Sequence, residues 1–296
     1  MTEIRGRAAL VTGGGSGIGK GLALELARQG AAVAVADIIL DNARKVAGEI
    51  NTAGGTAVAI HCDVCERESI GNMKAAANAA LGPITLLFAN AGATSFDPLM
   101  EMSDNDVDWI IQVNLMGVMN TTRAFLPDMV AAHGGHVTAT ASMAGLLPGW
   151  IPQHCPYSAA KAGIIGMMMN LSLEMRRFNV HTTSYCPGGV ATGMKANNSR
   201  YRPDRFGGPS GGPVEISHES FKAIDIAFYT PEQIAPIVLR AVRNNRPFVF
   251  DHADQRRFFR ETYANVVEAC YDDIEAHERE NGIPRANPTG AALNQQ

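Results

Sequence analysis

Residues 7–19 read RAALVTGGGSGIG, an apolar run that stops at Gly13, Gly14 and Gly15, then Ser16, then Gly17, Ile18 and Gly19. The run 7–12 suits a buried strand entering a tight turn. Residues 17–29 place Ile18, Leu22 and Leu26 on one side, which predicts a helix. The alternation then repeats. AAVAVA (31–36), TAVAI (56–60), ITLLF (84–88), 136–140 and 180–185 read as strands, and 41–53, 66–80, 104–131 and 157–178 as helices. Ser103 is the expected N-cap of the fourth helix, with Asp104 and Asp106 at its positive end. The strands are apolar on both faces, which demands a parallel sheet covered by helices on each side. Right-handed crossovers make the expected fold α/β: a single-domain, Rossmann-like, doubly wound parallel sheet.

Beyond residue 192 the rhythm breaks. Residues 193–230 are rich in Gly, Pro, Asn and Ser, and a stretch this long without regular structure inside a compact domain is usually functional or disordered. Thr230 then caps a helix with Pro231 at its first position. RPFVF (246–250) is the expected last strand, and 252–280 a charged helix leading into a polar tail. The expected plan is one domain over 1–296. Its segments are 1–192, the irregular stretch 193–230, a last helix and strand 231–251, and a C-terminal helical extension and tail 252–296.

Composition narrows the function classes. The chain has 296 residues, 46% hydrophobic and 18% charged, with a net charge of −4. Nothing basic invites nucleic acid or an anionic membrane surface. No apolar run reaches the roughly 20 residues that span a bilayer. The start, with Glu3, Arg5 and Arg7, lacks a signal-peptide pattern, so a cytoplasmic location is expected. Five scattered cysteines suggest reduced thiols. Cys62 and Cys65 have CxxC spacing, but no second ligand pair completes a metal site, and no metal is expected.

The glycine turn between strand and helix is where a pyrophosphate meets a helix N-terminus. Gly13, Gly17 and Gly19 give the spacing TGxxxGxG. Asp37 ends the second strand about 20 residues later, where a carboxylate accepts hydrogen bonds from ribose hydroxyls and repels a 2′-phosphate. Ile38 follows rather than Arg, and Ser16 occupies the turn where a basic residue would favour NADP. The expected cofactor is NAD. Gly14 to Lys20 also fits GxxxxGK, but Gly21 stands where a triphosphatase needs Ser or Thr for magnesium.

Tyr157 and Lys161 lie four apart at a helix start and share a face. A tyrosine of pKa near 10 is a poor base at neutral pH. An ammonium about 4 Å away favours its phenolate by roughly 4 kcal/mol at an effective dielectric of 20, and a positive nicotinamide adds to this. Tyr157 is thereby expected to act as a general acid/base.

TGGGSGIG, Asp63-Val64, ANAG (89–92), Asn114, Ser142, YSAAK (157–161) and PGGVAT (187–192) occur in an order that resembles the short-chain dehydrogenase/reductase family over about residues 5–195. The resemblance implies a catalytic set. Ser142 binds the substrate oxygen, Tyr157 exchanges the proton, Lys161 binds the nicotinamide ribose, and Asn114 holds a water linking Lys161 to solvent. It implies that Gly13, Ser16, Gly17, Ile18, Gly19 and Asp37 bind cofactor, that Asp63 and Val64 contact adenine, and that Asn90, Ala91 and Gly92 line the ribose. Pro187, Gly188, Val190 and Thr192 would hold the nicotinamide, and the resemblance makes 1–192 the cofactor-binding and catalytic core and 193–230 the substrate lid. Ala89 departs from the family's frequent Asn. The interval between Ser142 and Tyr157 is also a residue or two longer than usual.

The expected reaction interconverts a secondary alcohol and a ketone. Met143, Trp150, Ile151, His154 and Met194 are the candidate substrate contacts, with a surface-loop histidine as the alternative for His154. Lid aromatics Tyr201, Phe206, Phe221 and Phe228, with Phe96, suit a bulky apolar or aromatic substrate. DWIIQVNLMGVMN and the long lid are similar to bacterial Cα-dehydrogenases of lignin-derived aryl ethers, which implies a benzylic alcohol. Hydroxysteroids, terpene alcohols and general ketones fit the same residues. A non-enzymatic NAD sensor is disfavoured by the intact catalytic set, and a nucleotide-sugar epimerase by the TGxxxGxG turn and short C-terminal extension. Helices 104–131 and 157–178 would pair protomers into a homodimer or homotetramer. The remaining expected partner is a small-molecule substrate.

Overall fold

The computed structural model describes residues 1–147, 151–209 and 228–282. The chain divides into two compact units, Met1–Ala253 and Asp254–Gln296.

The first unit is a seven-stranded sheet: β1 Ala8–Thr12, β2 Ala32–Asp37, β3 Thr56–His61, β4 Leu86–Ala89, β5 Gly135–Thr140, β6 Val180–Cys186 and β7 Phe248–Phe250. The order is β3-β2-β1-β4-β5-β6-β7, and every pairing is parallel. This is the doubly wound α/β sheet expected from the alternating apolar runs. Strands β1, β4 and β5 are buried along their whole length, which is why they read as continuous rather than alternating hydrophobic segments. One face packs α1 (Gly17–Arg28), α2 (Leu40–Thr52) and the helix Pro231–Arg243 through residues such as Leu22, Leu26, Val46, Ile50, Ile234 and Val238. The other carries α3 (Arg67–Leu81), α5 (Gly117–Ala131) and α7 (Cys155–Met175). The chain leaves β1 toward β2 on one side, while β4 lies on the other. That reversal opens a crevice at the carboxyl ends of β1 and β4.

Three local features differ from the sequence expectation. The helix expected over 104–131 is broken into α4 (Asp104–Ile111), a π-type turn Gln112–Met116, and α5. Ser103 does cap it, in a reciprocal box with Asp106. Between Ser142 and Tyr157 lies a short helix, α6 (Met143–Leu146), and α7 starts at Cys155 with Pro156 in its first turn. The described part of the lid is not structureless. It forms a turn at Met194–Ala196, the short helix α8 (Asn197–Arg200) and a turn at Asp204–Phe206. Trp150 and Phe221 lie outside the described residues.

The second unit is helical from Gln255 to Asn281, and Gly282 ends it in the left-handed conformation. Among the described residues, no helix is long and apolar enough to cross a membrane.

Candidate active site

The crevice is floored by the glycine turn. Gly13 and Gly17 both have positive φ, and a Cβ at Gly19 would fall 2.0 Å from the Gly13 oxygen. These positions tolerate only glycine. Ser16 precedes α1 in extended conformation without capping it, and the first helical turn holds no acid. The leading N–H groups of α1 therefore face the crevice without a side-chain partner, a cradle suited to a phosphate. Lys20, whose spacing mimics a triphosphatase loop, pairs instead with Glu49 at 2.8 Å.

Asp37 ends β2 at the same crevice and is buried. Its Oδ2 accepts from the Gly15 N–H and its Oδ1 from the Ile39 N–H, each at 2.9 Å. Burial pushes its pKa up, against these two backbone bonds. The carboxylate both closes the turn and lines the groove.

A hydrogen-bonded chain ties the turn to the chemistry. Thr12 Oγ1 accepts from the N–H groups of Asn90 (3.0 Å) and Ala91 (3.1 Å). Thr140 Oγ1 donates to Asn90 Oδ1 at 3.0 Å, and Lys161 Nζ donates to the Thr140 carbonyl at 2.7 Å. Three neighbouring strands thereby fix the lysine head.

Ser142 follows β5, and its Oγ accepts from the Ala144 N–H at 3.0 Å. Ser142 also acts on Tyr157 by hydrogen bonding, which favours the phenolate. Burial outweighs that bond and pushes Tyr157 up to about 12. The expected lowering of Tyr157 by Lys161 does not hold in the protein alone. Lys161 is itself buried, which pulls it down to about 7, and its Nζ lies 5.4 Å from the Tyr157 ring centre. Two groups removed from water each resist charge, so neither lends the other a full one.

Groove-lining residues include Gly13, Ser16, Gly17, Ile18, Asp37, Asp63, Val64, Asn90, Ala91, Gly92, Ser142, Tyr157, Lys161, Pro187, Gly188, Val190, Thr192 and Met194. Asn114 lies beneath, fully buried, and a side chain at Gly92 would strike its Oδ1 at 2.7 Å. Of the other described substrate candidates, Met143, Ile151 and His154 are buried and do not line the groove. The surface-loop alternative for His154 fails. Asp63 already holds Arg205 at 2.7 Å and the Cys65 N–H at 2.9 Å. The thiols of Cys62 and Cys65 are pushed up to about 12 by burial and stay protonated.

Several residues escaped the sequence reading. Cys62, Cys65, Trp109, Val113, Asn197 and Pro203 line the groove beside Tyr201, the lid aromatic that the sequence did suggest. Asn197 donates to the Gly92 carbonyl at 3.0 Å, bringing α8 against the loop that follows β4. Asp251, after β7, accepts from the Gly188 N–H at 2.9 Å and from the Tyr185 hydroxyl at 2.6 Å, bracing the loop 187–192. The backbone of Tyr229 pairs with Gly189 and Ala191 of the same loop. None of these contacts has a local sequence signal, since each joins segments far apart in the chain.

Residues 7–202 match the family described as short chain dehydrogenase. The chain belongs to that family. This short chain dehydrogenase is 29% identical over 271 residues to the C alpha-dehydrogenase of Sphingobium sp. (strain NBRC 103272 / SYK-6), covering 91% of this chain and 88% of that protein. It is 31% identical to the (-)-trans-carveol dehydrogenase of Rhodococcus erythropolis over 266 residues, covering 84% and 95%. A short chain dehydrogenase/reductase from Burkholderia phymatum, solved in complex with NAD, superposes with a TM-score of 0.78 at 26% identity, over 97% of this chain and 99% of that one. The chain is an oxidoreductase of this family.

Proposed function

We propose that this oxidoreductase uses NAD(H) to interconvert a secondary alcohol and a ketone, with Tyr157 as general acid/base. One observation carries the reading: Tyr157, Ser142 and Lys161 share a single groove with the glycine turn and Asp37. The phosphate cradle at α1 and the buried Asp37 carboxylate suit a dinucleotide whose adenosine ribose carries free hydroxyls. When bound, the nicotinamide accepts a hydride from the alcohol carbon or returns one to the ketone.

Within this reading, Ser142 donates its hydroxyl proton to the substrate oxygen. Tyr157 withdraws the alcohol proton during oxidation and returns it during reduction. Lys161 gains its charge as the phenolate forms, so the pair charges together in a site that resists either charge alone. Gly13, Gly17 and Ile18 present the cradle, and Pro187, Gly188, Val190 and Thr192 flank the nicotinamide end. Asn114 maintains the backbone between Gly92 and Lys161.

The substrate is bulky and mainly apolar, with a benzylic alcohol as the first choice. Trp109, Val113, Met194 and Tyr201 give the groove its apolar wall, and the names of the two dehydrogenase relatives fit such alcohols. Protomers pair through α5 and α7, where Met119, Met169 and Leu173 are exposed.

The test is NADH formation against aryl, terpene, steroidal and aliphatic secondary alcohols, followed by Tyr157→Phe. The variant is expected to keep NADH affinity and to lose at least a hundredfold in turnover. Unchanged turnover, or a wild-type preference for NADP, overturns the reading.

A further inference from the structure

His154 stands behind the catalytic tyrosine rather than in the groove. It is the last residue before α7, and its carbonyl accepts the Ser158 N–H at 2.9 Å. Its side chain is 6% exposed. The imidazole is sandwiched between two rings. Phe96 stacks on one face, with ring centres 4.3 Å apart and planes at 15°. Tyr157 stacks on the other, at 4.3 Å and 11°. Nε2 is hydrogen-bonded to Thr94 Oγ1 at 2.9 Å, and Thr94 is itself buried. Nδ1 is buried without a partner.

A phenyl ring would fill the same slot without leaving a buried nitrogen unpaired, an arrangement that native structures rarely carry without a reason. The Thr94 bond ties the middle ring by its edge to a buried side chain, which holds the ring, and with it the ring's plane, in the slot. Stacking on that ring then sets the plane of the phenol. Burial, joined by the smaller effect of Lys161, lowers His154 to about 4. The ring therefore stays neutral and adds no charge to the Tyr157–Lys161 pair at neutral pH.

We propose that His154 is a positioning residue: pinned by Thr94 and backed by Phe96, it holds the Tyr157 phenol in the orientation that transfers the proton. This rests on the dehydrogenase reading for its kinetic consequence but not for its structural one. Small misplacements of a reacting group cost large factors in rate.

The experiment compares wild type, His154→Ala, His154→Phe and Thr94→Val. His154→Ala is expected to lower kcat at least tenfold, with KM and NADH affinity within twofold. His154→Phe keeps both stacks and is expected to return kcat to within threefold of wild type. Thr94→Val, which keeps the ring but frees it, should fall between them. A His154→Ala kcat within twofold of wild type overturns the proposal. So does a loss expressed in KM alone, which would mean substrate contact, and so does a loss that His154→Phe does not restore.

A second arm needs no turnover. With ring-labelled tyrosine, the Tyr157 Hε resonances are identified by their absence in Tyr157→Phe. Removing the imidazole in His154→Ala should shift them downfield as its ring current is lost. An unchanged Tyr157 resonance also overturns the proposal. A wild type inactive on every alcohol would defeat the dehydrogenase reading while leaving this arm intact. If His154→Ala does not fold, Thr94→Val and His154→Phe carry both measurements, and a Thr94→Val protein identical to wild type in both overturns the proposal.

Discussion

Asn114 donates through Nδ2 to the carbonyl of Ile110, four residues before it, at 2.8 Å. That carbonyl lies at the π-type turn, where the regular helical ladder is interrupted. The same Nδ2 donates to the Ala93 carbonyl at 2.9 Å, and Oδ1 accepts the Ala93 N–H at 3.3 Å. One side chain thus heals the helix and anchors the strand end that carries Asn90 and Gly92. Asn114→Ala removes the partner of three buried backbone groups, at a cost of about 1–3 kcal/mol for each one that water does not reach. A calorimetric scan should show Tm lower by roughly 2–10 °C, with turnover reduced as well. An unchanged Tm would show that water replaces the amide without loss.

The sheet and the glycine turn were legible because their signals are local. Strand 7–12, its glycines, and Asp37 at the end of the next strand each follow from short-range pattern. The π-type turn was legible only in part: an asparagine inside 104–131 reads as a local kink or a partner for backbone groups, and only its tertiary partners decide between these and a functional role. Asp251 and Arg202 were invisible for the same reason: their partners lie 63 and 96 residues away. His154 was misplaced because a histidine in a Pro-containing loop reads as exposed, whereas two aromatic rings bury it. The lowering of Tyr157 failed because spacing gives proximity but not desolvation, and burial reverses the sign.

Asp37 supports two roles, and one substitution separates them. Asp37→Asn retains an acceptor for the turn but removes the charge that repels a 2′-phosphate. Asp37→Ala removes both. NADH affinity measured by fluorescence should fall roughly tenfold or more in the alanine variant, the size of one or two charge-assisted hydrogen bonds. NADPH affinity should rise in the asparagine variant as the repulsion ends. A NADH/NADPH ratio unchanged in both would leave Asp37 as a turn cap only.

Lys161 carries a pH signature. Its folded pKa, lowered by burial to about 7, lies below its ordinary 10.5. Between these values the unfolded chain binds a proton that the native protein does not, so this group makes stability rise with pH across that window. Below about pH 7 both states are protonated and its penalty is constant. Relative to Lys161→Met, wild-type stability should therefore increase from pH 7 toward pH 10. Denaturant titrations at several pH values check this, and a flat difference would mean that the lysine is solvated. Tyr157 acts oppositely: with a folded pKa of about 12 against 10, it loses stability only as pH rises between those values. A tyrosine neutral at pH 7 also makes kcat/KM for alcohol oxidation climb with pH in the free-enzyme profile.

Arg202 secures the lid. Its guanidinium is buried, paired with Asp106 of α4 and set 5.8 Å from the Trp109 ring centre. It also donates to the Phe206 carbonyl, holding the turn at Asp204–Phe206 closed. Asp106 is partly exposed and is lowered by its bonds to Ser103 and Arg202 despite some burial, so it can rehydrate when the arginine leaves. Arg202→Ala removes a pin from the lid without stranding a buried charge. Amide exchange over residues 194–207 should then accelerate at least tenfold, the equivalent of about 1.4 kcal/mol of local opening. Exchange in β1, β4 and β5 should stay at its wild-type rate. Equal acceleration in those strands would mean that Arg202 supports the whole unit rather than the lid.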